Sequence, residues 1–64
     1  MNRTADIQFK NNTLSVVFYD NEVPVGEIKY PDKSRYYVED AAENWETGIL
    51  NTDIIKKYGT YYES

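Results

Sequence analysis

The chain has 64 residues, a net charge of −4 and neither cysteine nor histidine. Disulfide staples and the usual structural zinc sites are therefore excluded, and so short a chain makes one domain at most, burying only about 60% of its unfolded surface. The core must come from apolar side chains, prominent among them seven Tyr, two Phe and one Trp, since one aromatic can bury about 150–250 Å².

The charge is unevenly placed. Residues 1–35 hold five acids and five bases, whereas residues 36–64 hold six acids against Lys56 and Lys57. This balance disfavours direct binding to nucleic acid or to an anionic membrane. No stretch of about 18 apolar residues is present, and Asp6, Gln8 and Lys10 interrupt the first apolar residues, unlike a secretory leader. The expectation is a soluble cytoplasmic protein of one domain, residues 1–64, needing no cofactor and no metal.

Residues 5–10 alternate, with Ile7 and Phe9 on one side and Asp6, Gln8 and Lys10 on the other, which predicts a half-buried strand. Asn11-Asn12 is a turn signal, because Asn tolerates left-handed backbone angles. Residues 14–20 form a second strand, with Leu14, Val16 and Phe18 on one face and Ser15, Val17 and Tyr19 on the other. Asp20-Asn21 is a second short turn.

Val23–Tyr30 is the third strand, with Ile28 and Tyr30 facing one way and Val23, Val25, Glu27 and Lys29 the other. Pro24 cannot donate a ladder hydrogen bond, which places this strand at an edge or starts it late. Gly26 fits a bulge or a close approach by another segment. Three strands with short turns make an antiparallel meander.

After the loop 31–34 comes the stretch that organises the chain. Val38, Ala41, Ala42, Trp45 and Ile49 fall on one stripe at helical spacing, while Glu39, Glu43 and Glu46 fall on another. The helix is expected to start around residues 36–38, capped by Ser34 or Asp32, or nearer Glu39 if residues 35–38 stay extended. Gly48 ends it as a residue suited to left-handed angles. Asn51-Thr52-Asp53 reads as a second cap, opening a short helix over residues 54–58 that Gly59 closes. Residues 60–64 are expected to fray, unless Tyr61 and Tyr62 dock on the sheet. The fold class is α+β, a βββα domain with one main helix on one face of the sheet, then a short helix and a tail.

Catalysis is not expected. Histidine, the commonest base beside a nucleophile, is absent, and the three glycines at 26, 48 and 59 stand alone, so no loop could cradle phosphates. Asp20-Asn21-Glu22 lacks calcium-loop spacing. Seven tyrosines could stack on bases, but stacking sites come with basic grooves, and Arg35-Tyr36-Tyr37 is bracketed by Asp32, Glu39 and Asp40.

Two surfaces remain. Glu39, Glu43 and Glu46 lie within about 60° of helical arc over roughly 10 Å of axis, with Asp40 beside them. Carboxylates one turn apart are spaced much like neighbouring phosphates, so this face can stand in for nucleic acid at a basic groove. It can equally be a solvated helix face. The second surface is the back of the sheet, where Val17, Tyr19 and Val25 would form an apolar contact, for instance in a homodimer. By size and charge the chain resembles the small, cofactor-free inhibitors that phages encode against host polymerases, nucleases or CRISPR effectors. That resemblance implies an inhibitor whose partner is a protein with a basic, nucleic-acid-binding surface. The alternatives are a structural or assembly subunit that self-associates through its sheet and, more remotely, a sheet-based DNA-binding domain.

Overall fold

The computed structural model describes residues 2–62. Strands β1 (Arg3–Lys10), β2 (Thr13–Asp20) and β3 (Val23–Tyr30) form the meander. Helix α1 (Arg35–Glu46) crosses β1 and β2, and helix α2 (Thr52–Tyr58) packs on β3 and on a two-residue strand β4 (Thr60–Tyr61). The sheet is antiparallel in the order β1-β2-β3-β4, with both helices covering one face.

Local chemistry sets both hairpins. Asn11 and Asn12 have φ of 53° and 61°, and Asn21 and Glu22 have φ of 51° and 68°. Two consecutive positive angles make the tight turn whose twist matches that of flanking strands. The second turn is centred one residue later than expected, on Asn21-Glu22, because Asp20 pairs with Val23. Ser34 caps α1, its hydroxyl accepting from the Tyr37 N–H at 3.3 Å, so the helix begins at Arg35, just ahead of the expected 36–38. Asn51 caps α2, accepting from the N–H groups of Asp53 and Ile54, and α2 starts at Thr52 instead of 54.

The core joins Val16, Phe18 and Ile28 of the sheet to Val38, Ala42 and Trp45 of α1 and Ile55 of α2. Four of the five residues of the expected stripe are buried, but Ile49 is 74% exposed. The helix ends at Glu46, and Gly48 at φ 87° turns the chain away before the next helical repeat. Phe9, on the same side of β1 as Ile7 but at its hairpin end, is 64% exposed and stays outside the core.

Of the two expectations for residues 60–64, docking on the sheet is found in place of fraying; residues 63–64 lie outside the described residues. Thr60 and Tyr61 pair with Glu27 and Gly26, and the Tyr62 N–H donates to the Val25 carbonyl at 2.9 Å. Glycine makes this possible. A Cβ on Gly26 would lie 2.5 Å from Ile55 Cγ2 and 2.7 Å from the Thr60 carbonyl oxygen. β3 is thus an inner strand at Gly26 and Glu27, and Pro24 sits outside that pairing, opposite Tyr19.

Among the described residues no helix is long and apolar enough to cross a membrane.

Candidate interaction surface

Helix α1 has three working sides. Val38, Ala41, Ala42 and Trp45 face the sheet. Tyr37, Asp40 and Asn44 line a groove towards β3 and α2. At about 100° per residue, Glu39 and Glu46 project from the flank opposite that groove, and Glu43 stands between this flank and open solvent.

All four carboxylates proposed from sequence are exposed, but they do not form one patch. Asp40 belongs to the groove. Glu39 accepts from Arg35, Nε to Oε2 at 3.2 Å, with both side chains largely in solvent. This is the one ion pair among the described residues, and exposed pairs of this spacing hold only about 0.3–0.5 kcal/mol. Among the described residues Glu43 and Glu46 make no ion pair, and they are the carboxylates most available to a partner.

The alternative surface of Val17, Tyr19 and Val25 does not assemble. Val17 is only 8% exposed, so it has little area to offer. Val25 packs against the core instead of facing away, because the β2–β3 register shifts between Phe18 and Tyr19. A one-residue slip changes the side to which a strand residue points. Around Val17 the back of the sheet presents Asp6 and Glu27 with Lys10 and Lys29, two acids and two bases, and so has no excess of cations.

Sequence reasoning did not find the groove between α1 and α2. It measures about 720 Å³, within the size range of ligand sites, with Ile28, Leu50 and Ile54 as apolar lining and Tyr30, Tyr37 and Tyr58 around them. The Tyr30 and Tyr37 rings meet edge to face at 5.7 Å. Burial, and next the neighbouring Tyr37, push the Tyr30 phenol up to about 12. Lys29 and Lys33 balance Asp32 and Asp40 around the opening, so its charge selects no ligand. Its signal in sequence was slight: tyrosines at 30, 37 and 58 come together only once α2 folds back.

Among the described residues no group of three or more His, Cys, Asp or Glu side chains is placed to hold a metal ion. Comparison with family models, with curated proteins and with solved structures finds no match to this chain.

Proposed function

We propose that the chain is a non-enzymatic binding protein, an inhibitor that uses the glutamate flank of α1 to occupy a basic site on a nucleic-acid-handling protein. The observation that carries this reading is the pair Glu43 and Glu46, exposed on a well-anchored helix and in no ion pair among the described residues. The fixed helix matters as much as the charge. Trp45, on the opposite side of α1, ties it to the sheet, so the carboxylates are presented at a set spacing and are not ordered at the moment of binding. Glu39 contributes after exchanging Arg35 for a partner's cation. Asp40, on the groove side, contributes less than the sequence reading gave it.

Such a partner also binds nucleic acid at the same site, so duplex DNA should displace the protein, and capture should weaken steeply with salt. The phage anti-defence or host-takeover setting suits a small acidic inhibitor of this kind. Self-association through Val17, Tyr19 and Val25 loses support with Val17 covered and Val25 packed against the core. DNA binding by the sheet finds no excess of cations on its back.

Affinity capture from a nuclease-treated lysate tests the proposal. Partners retained by the native protein should be released by added duplex DNA and lost with Glu43→Lys/Glu46→Lys. Retention unaffected by both would refute it.

A further inference from the structure

Tyr36 is the most exposed large apolar side chain among the described residues, 82% in solvent. It stands on the outer side of α1, beside the groove that Tyr37, Asp40 and Asn44 line. At about 100° per residue, Tyr36 and Asp40 project within about 40° of each other, with Tyr37 on the groove side of both. One helix thus carries an exposed aromatic knob next to a groove of about 720 Å³, large enough to take a tyrosine ring. An interface between identical copies needs that combination: under a two-fold axis each copy's knob meets the other copy's groove.

The charges fit the same operation. Lys29, Asp32, Lys33 and Asp40 border the groove, all four are exposed, and none belongs to an ion pair among the described residues. Such a rim has no net charge to attract a small ion, yet it complements a reversed copy of itself. Consider two antiparallel α1 helices related by an axis midway between Tyr36 and Tyr37. Lys33 then lies opposite the second copy's Asp40, and Tyr36 opposite its Tyr37, each contact occurring twice. The Lys33 ammonium rests 4.9 Å above its own Tyr37 ring, and so already close to that axis. The acidic excess of the chain does not oppose this contact, because Glu39 and Glu46 project from the flank of α1 opposite the groove.

We propose that α1 pairs antiparallel with α1 of a second copy, Tyr36 seated in the second copy's groove and Lys33 facing its Asp40. Tyrosine-rich contacts with a charged rim are the usual make-up of such an interface. The resulting dimer turns two glutamate flanks away from its axis. The pairing stands independently of what those flanks bind.

Sedimentation equilibrium of the full chain over a concentration series reads this association directly. The native chain should pass from one copy to two by about 1 mM, the range of a small interface. Lys33→Asp sets two carboxylates against each other across the axis, and Asp40→Lys two ammonium groups. Each alone should weaken pairing about tenfold or more. An equimolar mixture of these two variants brings opposite charges together again at both contacts, so it should pair as tightly as the native chain. Tyr36→Ser should abolish pairing. All three positions are exposed, and circular dichroism checks that each variant keeps its fold. A native chain still single at about 1 mM would overturn the proposal. So would a dimer indifferent to all three substitutions, which assigns pairing to another surface. Weakening by the single charge changes without recovery in the mixture would refute the antiparallel Lys33–Asp40 register.

Discussion

The indole Nε1 of Trp45 donates to the backbone carbonyl of Tyr19 at 2.9 Å. The same ring packs 5.3 Å from Phe18 and lies 4.1 Å beneath the Arg3 guanidinium, whose Nη1 reaches the Leu50 carbonyl at 3.0 Å. One side chain thus ties α1 to β1, to β2 and to the link before α2. Trp45→Phe keeps most of the packing and removes one hydrogen bond to the Tyr19 carbonyl, which still faces Thr4 in the β1–β2 ladder, at a cost of about 0.5–1.5 kcal/mol. Trp45→Ala should cost about 3–5 kcal/mol. A domain of this size holds only about 3–10 kcal/mol in all, so the alanine variant should lose a large share of its stability. Urea melts followed by circular dichroism check both.

Glycine substitutions should separate steric from backbone effects. Gly26→Ala drives a methyl group into Ile55 and the Thr60 carbonyl, so it should cost about 1–3 kcal/mol and loosen α2 and β4 together. Gly48→Ala meets nothing within 4 Å and pays only for its φ of 87°, about 1 kcal/mol. Amide exchange at Tyr62, whose N–H donates to the Val25 carbonyl, should quicken in the first variant more than in the second.

The Tyr30 phenol makes stability pH-dependent in a defined window. Its folded value is raised from about 10 to about 12, so the folded state holds the proton more tightly than the unfolded chain. The contribution is complete below pH 10 and is lost as pH rises through 12. Tyr30→Phe, which removes this one group, is the informative comparison. Between about pH 10 and 12 the native protein should lose stability faster than this variant. Parallel pH curves for the two would show that Tyr30 is not the source.

The Arg35–Glu39 pair should be energetically minor. Glu39→Gln should lower the melting midpoint by no more than a few degrees, consistent with about 0.3–0.5 kcal/mol, and the loss should shrink in high salt. A larger, salt-independent loss would mean that Glu39 does more than pair with Arg35.

Much of this architecture is legible in the sequence because its signals are periodic. Strict alternation marks the meander, asparagines mark the turns, and the apolar stripe from Val38 to Trp45 marks α1. The misses arise where periodicity says nothing. Ile49 continues the stripe in sequence but lies beyond Gly48, which redirects the chain. Alternation places Val25 on the back of the sheet, since it cannot register the shift between Phe18 and Tyr19. β4 has two residues and no pattern of its own; it exists because Gly26 lets another backbone come close. The carboxylates were visible as a group. Their division into a groove-facing Asp40 and an outer flank depends on where α2 packs, a long-range contact that no local pattern encodes.

The most direct measurement of the central claim compares Glu43→Lys/Glu46→Lys with the native chain for both stability and partner capture. Both positions are exposed and outside the ion pair, so the unfolding free energy should move by no more than about 0.5 kcal/mol while capture of the DNA-displaceable partner is lost. A folded double variant that captures the same partner as strongly as the native chain, at every salt concentration, would contradict the assignment of binding to this flank.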